Sequence, residues 1–273
     1  MNIQGRRILI TGGSSGIGRE MARQLALKGA QLVLTGRNPA RLSAAVAELR
    51  AATGAVIHGI PGDIAEAAVR DALPAQAVAL LGGIEVLVNN AGGVRAGRLE
   101  ETAEAELRAM IEVDLLAPIL LTRAALPELR RGAAAYGGAM VVNIASGLAQ
   151  LGLPFYAGYA AAKAGLARFG EAMRRELKGE GVHVMTVYPG ATDTPMMASS
   201  RADASMGFVL QPVEEVVGAI IEGIEAEAFE VVRGGAARQA LLAQNREDPA
   251  AVDARFLALK PQLQAAVRDH SAL

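Results

Sequence analysis

The sequence predicts an α/β fold: a doubly wound parallel sheet with helices on both faces. Three observations predict it. Short β-branched runs alternate with longer alanine-rich amphipathic runs along most of the chain, the order that a parallel sheet with crossover helices imposes. A glycine-rich turn joins the first strand-like run to the first helical one. Polar residues suited to ligand contact fall where several strands should end, which is where open parallel sheets bind ligands.

The elements follow in order. Strand candidates are "RRILIT", "AQLVLTG", "AVIHGI", "IEVLVNN", "AMVVNIAS", "VHVMTVYPG" and "FEVVRG". Helical periodicity covers 17–28, 40–52, 65–81, 103–131, 157–178 and 213–226. Gly29, Gly54, Gly132 and Gly179 sit where C-terminal stops are expected. After "FEVVRGG", Val252, Phe256, Leu259, Leu263 and Val267 recur at steps of three and four, which gives one apolar helical face. With Pro249 and Pro261 as punctuation, this predicts two or three docked helices. The expected organisation is a catalytic domain over 1–235 and a helical extension over 236–273, packed on the same domain or on a partner subunit.

Composition narrows the function. A chain of 273 residues with 52% hydrophobic content can bury the core of one α/β unit. Net charge is −1, without a basic block, which argues against nucleic acid and membrane surfaces as partners. There is no cysteine, so disulfides and thiol catalysis are excluded. No apolar run is long enough for a signal segment or a bilayer span, and the expectation is a soluble, cytoplasmic protein. His58, His183 and His270 are far apart in sequence, and none has metal-ligand spacing.

The segment Gly12, Ser14, Ser15, Gly16, Ile17 and Gly18 directly follows a strand and opens a helix. Glycines there supply positive φ and bare backbone. They let a pyrophosphate approach the helix N-terminus, where free N–H groups and the helix dipole favour negative charge. At the end of the second strand, an acid would bond a ribose 2′-hydroxyl. Gly36 stands in that place and Arg37 follows, which favours a 2′-phosphate and hence NADP(H), with NAD(H) possible. Asp63 and Ile64 follow the third strand, and Asn90, Ala91 and Gly92 follow the fourth.

Tyr159 and Lys163 are four residues apart in a helical run and so share a face. A free phenol is too weak an acid to exchange protons readily at neutral pH. A neighbouring ammonium favours the phenolate, so the expectation is a lowered Tyr159 pKa and a general acid/base. The chain has 23 arginines and 4 lysines, so lysine at 163 is not compositional habit. Ser146, at the end of the fifth strand, can hydrogen-bond a carbonyl oxygen.

Together "TGGSSGIG", "NNAG", Ser146, "YAAAK" and "YPGATDTP" resemble the short-chain dehydrogenase/reductase family in order and spacing, over about residues 5–235. The resemblance implies a Rossmann-type sheet of seven strands and a nicotinamide cofactor. It implies Tyr159 as acid/base, Ser146 polarising the carbonyl, and Lys163 binding the nicotinamide ribose and tuning Tyr159. Asn90, Thr192 and Thr194, with the Pro189–Gly190 turn, would line the ribose and carboxamide. It also implies a homodimer or homotetramer through the two long helices, where Ala160, Ala161, Ala164, Gly165 and Ala167 permit close approach. One departure stands out. Asp114, in "EVDLLAP", occupies the place where many members carry an asparagine that helps hold a water linked to the lysine.

The sequence thus points to an oxidoreductase interconverting a carbonyl and an alcohol on a small molecule. Alternatives from the same fold are a non-catalytic dinucleotide sensor or scaffold, and an epimerase or dehydratase. "PMMASSRADASMGFVLQP" is long for a connection, and such loops are often lids. Met196, Met197, Met206, Phe208 and Leu210, facing Leu148, Leu151, Leu153, Phe155 and Tyr156, predict a predominantly apolar substrate.

Overall fold

The computed structural model describes residues 1–273. The strands are β1 (Arg7–Thr11), β2 (Gln31–Gly36), β3 (Ile57–Pro61), β4 (Val86–Asn89), β5 (Ala139–Ile144), β6 (Val182–Tyr188) and β7 (Glu230–Val232). They form one parallel sheet in the order β3-β2-β1-β4-β5-β6-β7. The helices between them are α1 (Gly16–Leu27), α2 (Pro39–Thr53), α3 (Ala67–Leu81), α4 (Glu104–Ile111), α5 (Ala117–Tyr136), α6 (Ala157–Glu176) and α7 (Val213–Glu225). Two more, α8 (Gly235–Glu247) and α9 (Pro249–Val267), follow β7. None of them is long and apolar enough to cross a membrane.

Successive strand residues point to opposite faces, and both faces are covered. Ile8 and Ile10 of β1 join Met21 and Leu25 of α1, Leu42 of α2 and Ile220 of α7 in one core. Leu9, between them, joins Leu73 of α3, Leu121 of α5 and Met173 of α6 in the other. This is why the strands read as near-continuous apolar runs rather than as alternating ones.

The expected helix over 103–131 is two helices joined by a π turn, Glu112–Leu116. Gly132 does not stop α5. A Cβ there would lie 2.6 Å from the Ile84 carbonyl oxygen, so the glycine lets the helix run closely over the sheet. The stop is Gly137, with φ 75°. Gly158 and Gly165 serve packing within the chain, since Cβ atoms there would meet Leu107 at 2.9 Å and Leu115 at 3.0 Å.

The tail forms two helices. Pro249 is at the start of α9, where its missing N–H costs nothing, and Pro261 lies inside that helix rather than ending it. Of the expected apolar face, Val252, Leu263 and Val267 are buried. Leu263, Ala266 and Val267 share a third core with Tyr156, Tyr159, Val94, Ala96 and Met206. The C-terminus then lies antiparallel to the chain beyond β4. The Ala272 amide donates to the Val94 carbonyl at 2.8 Å, and the Ala96 amide to the His270 carbonyl at 3.0 Å.

Candidate active site

A cleft of about 390 Å³ runs along the C-terminal ends of the strands. It straddles the point where β1 is flanked by β2 on one side and β4 on the other, the switch point of a doubly wound sheet. At one end lies the glycine loop. Gly12 and Gly16 have φ of 66° and 53°, a region costly for side chains. A Cβ on Gly18 would meet the Asn90 amide nitrogen, and would lie 2.5 Å from the Gly12 carbonyl oxygen. Asn90 explains the closeness. Its Nδ2 donates to the carbonyls of Thr11 at 2.9 Å and Gly12 at 3.3 Å, and its backbone amide donates to Thr11 Oγ1 at 3.0 Å. Its side chain therefore braces the loop, while the residue also lines the cleft with Ala91 and Gly92.

Ser14, Ser15, Gly16, Ile17, Arg37, Asp63 and Ile64 line the same end. A Cβ on Gly36 would lie 3.2 Å from Ser14 Oγ, so an acid at that position would crowd the serine. Arg41, missed in the sequence, lines the cleft beside Arg37. A signal for it existed. Asn38 caps α2 by accepting the Arg41 amide at 2.9 Å, which fixes Arg41 in the first turn, where no acid is present. A cation there opposes the helix dipole, a placement that suits an anionic ligand. The Asp63 carboxylate accepts the Ala65 amide at 2.9 Å and shapes the turn into α3. Pro189, Gly190, Thr192 and Thr194 line the opposite wall, and Thr194 packs on Gly16.

The expected proton-transfer group is assembled at the cleft's centre. Ser146, Tyr159 and Lys163 all line it, and Lys163 Nζ lies 5.9 Å from the Tyr159 ring centroid. Asp114, on the π turn, is fully buried, with Oδ1 3.0 Å from Lys163 Nζ. The π geometry turns it inward, as π segments at functional sites often do. Lys163 also donates to the Ile144 carbonyl at 3.0 Å, and the Gly93 amide donates to Asp114 Oδ1 at 3.2 Å. Gly92 must lack a side chain, because a Cβ would lie 2.5 Å from Asp114 Oδ1.

The electrostatics correct one expectation. The Tyr159 pKa is raised, not lowered. Burial raises it, Lys163 opposes this, Asp114 adds to it, and the Ser146 hydroxyl favours the phenolate. Burial pushes the Lys163 pKa down, but Asp114 and Tyr159 outweigh it and the net direction is up. Burial raises the Asp114 pKa against the pull of Lys163. The spacing of Tyr159 and Lys163 could not reveal that a carboxylate 45 to 49 positions earlier would offset the ammonium.

The tail supplies two more lining residues that sequence reasoning missed, Arg238 of α8 and His270 near the C-terminus. No local motif marks either. Only the path of the tail across the cleft brings them there.

The short chain dehydrogenase family profile matches residues 6–205. The chain belongs to that family. It is an NAD(P)-dependent oxidoreductase by that membership, with a Rossmann-type sheet. As a short-chain dehydrogenase it has curated relatives at substantial identity. The ketoacyl reductase HetN of a Nostoc species is 34% identical over 231 residues, 84% of this chain and 79% of HetN. A short-chain dehydrogenase of Burkholderia cenocepacia, solved with NADP, superposes with TM-score 0.78 at 29% identity, covering 87% of this chain and 99% of that one. One from Burkholderia phymatum, solved with NAD, superposes with TM-score 0.82 at 23% identity, covering 92% and 96%, and shows the likeness of fold.

Proposed function

We propose that this short-chain dehydrogenase interconverts a carbonyl and a secondary alcohol on a predominantly apolar small molecule, with NADP(H) as the preferred cofactor. One observation carries the reading: Ser146, Tyr159 and Lys163 converge on a cleft that is continuous with the glycine loop. The residues fit a dinucleotide. The loop's bare backbone would receive the pyrophosphate at the start of α1, and Lys163, held by Ile144 and Asp114, would bind the nicotinamide ribose hydroxyls. Ser14, Arg37 and Arg41 around Gly36 suit a 2′-phosphate, and the NADP-bound Burkholderia cenocepacia structure supports that choice. When bound, the nicotinamide supplies hydride for reduction and accepts it in oxidation.

The remaining chemistry belongs to this chain. Ser146 donates to the substrate oxygen and fixes the carbonyl. Tyr159 gives its phenolic proton to that oxygen in reduction and takes it back in oxidation. Burial keeps the phenol pKa above its ordinary value, so the protonated form that reduction requires is the one present at neutral pH. Leu148, Leu153, Tyr156, Met196, Met197 and Phe208 form the substrate walls, and methionines adapt to varied shapes.

The test is a cofactor-absorbance assay with ketones of increasing alkyl or aryl size, alongside sugar and phosphorylated carbonyl compounds, each with NADPH and NADH. Specificity constants should rise by up to about 0.8 kcal/mol per methylene until the pocket is full. Preference for a sugar phosphate would overturn the apolar reading.

A further inference from the structure

The helix that follows β7 lies outside the matched family segment, and it delivers the one charged group that stands among the apolar substrate walls. Arg238 lines the cleft beyond Ser146. Its guanidinium donates to the Gly147 carbonyl, and its Nε is buried with no partner. Gly147 admits it, because a Cβ at 147 would lie 2.5 Å from Arg238 Cζ. Burial alone shifts its pKa, downward, and no neighbouring carboxylate opposes that. A half-buried guanidinium with a fully buried Nε and no counter-charge is costly. Arg95, which donates to the Arg268 carbonyl of the tail, differs in having Glu106 at 3.1 Å.

We propose that Arg238 is an anion subsite: it takes a carboxylate at one end of an apolar carbonyl substrate whose reacting oxygen meets Ser146 and Tyr159. This rests on the carbonyl–alcohol reading above and adds the substrate's charge. The place of Arg238 argues for substrate rather than cofactor. It sits against Gly147, next to Ser146, whereas the groups suited to cofactor phosphates, the glycine loop, Arg37 and Arg41, lie between β1 and α1, in the turn after β2 and in the first turn of α2. A carboxylate suits it better than a phosphate. A guanidinium matches the planar carboxylate through paired N–H donors, and a single cation leaves a phosphate dianion half compensated. The rest of the tail docks along the same cleft. His270, 1% exposed, contacts Ser199 Oγ through Nδ1 at 3.1 Å, and the Arg201 amide donates to the Ala266 carbonyl at 2.9 Å.

The experiment measures binding to the NADPH-loaded full-length protein by cofactor fluorescence. The probes are methyl ketones bearing a terminal carboxylate on chains of increasing length, each paired with its neutral methyl ester, and turnover is read in parallel. At the best chain length the acid should bind at least about tenfold more tightly than its ester. Arg238→Gln should erase that difference, and Arg238→Lys should keep part of it. Neither should change the NADPH dissociation constant. Thermal melts should show both variants folded, since the wild-type charge has no carboxylate partner to lose and gives up only its bond to the Gly147 carbonyl. Esters that bind as well as acids, or an acid preference that survives Arg238→Gln, would overturn the subsite. Turnover of the esters in that case would leave the carbonyl–alcohol reading standing. Loss of NADPH affinity in Arg238→Gln would assign the residue to the cofactor and also overturn the proposal.

Discussion

Lys163 Nζ lies 3.0 Å from Asp114 Oδ1, with both side chains buried. The ammonium that should favour the Tyr159 phenolate is therefore offset by a carboxylate that favours the phenol. Replacing Asp114 by asparagine removes that negative charge and keeps an acceptor for Lys163. The Tyr159 pKa should then fall. Alcohol oxidation needs the phenolate, so its acid limb should move to lower pH. Ketone reduction needs the phenol, so its alkaline limb should move the same way. pH–rate profiles of wild type and Asp114→Asn in both directions check this, and superimposable profiles would show Asp114 to be electrically silent.

Tyr159→Phe removes one hydroxyl and little packing, since the ring's place in the third core is retained. Turnover should drop by about 10²–10⁴-fold, the usual worth of a positioned acid/base. NADPH affinity should stay nearly unchanged. A phenylalanine variant that keeps most of the wild-type rate would remove Tyr159 from the proton path.

What the sequence disclosed follows from the range of the interactions concerned. Strand–helix alternation and the glycine loop are local, and the strands and their helices stand within a few residues of the expected ranges. Gly132 misled because its role is set by a sheet carbonyl that sequence does not place beside it. The link between Asp114 and Lys163 was legible through the family resemblance, which joined them by a water, but their direct 3.0 Å contact was not: a π turn redirects one partner, and periodicity at 3.6 residues cannot register the extra residue. Arg238 and His270 reach the cleft only through the docking of α8 and α9, a tertiary event with no local motif.

Arg37 and Arg41 flank the cap of α2 beside Ser14 and Gly36. A charge-assisted pair to a 2′-phosphate contributes roughly 1.5–3 kcal/mol. Arg37→Ala and Arg41→Ala should each weaken NADPH by about ten- to a hundredfold and leave NADH nearly unchanged. Fluorescence titration of both reduced cofactors reads this directly. Equal weakening of NADH would mean that the arginines hold something other than the 2′-phosphate.

Gly18→Ala places a methyl against the Asn90 amide and the Gly12 carbonyl. Because Asn90 braces the loop through both Thr11 and Gly12, the methyl cannot be accommodated by moving a free side-chain end. Overpacking of this kind costs about 1–3 kcal/mol, and cofactor affinity should fall with stability. Gly152 is the control, because a methyl group there would meet nothing within 4 Å. Gly152→Ala should leave both unchanged. Denaturant melts and NADPH titration separate the two variants.

Docking of the C-terminus should depend on pH through His270. Burial first, and then the Arg95 charge, hold its pKa below the ordinary 6.5. Arg95 is itself paired with Glu106 at 3.1 Å, and the other groups against the ring, Ser199 and Tyr156, stay uncharged through this range. A detached tail carries an ordinary histidine that binds a proton near 6.5. The docked state binds that proton less readily. The contribution of His270 is therefore present above about pH 6.5 and is lost as pH falls through the depressed folded value. Hydrogen exchange over 262–273 should quicken between about pH 7.5 and about pH 5.5, after correction for intrinsic rates. Substrate KM should rise in the same window, because the tail carries part of the cleft wall, while the NADPH dissociation constant should change less. His270→Gln keeps a polar side chain of similar reach but does not titrate, so it should flatten both responses. Tail protection that is equal at the two pH values in the wild-type protein would exclude His270 as the group that couples docking to protonation.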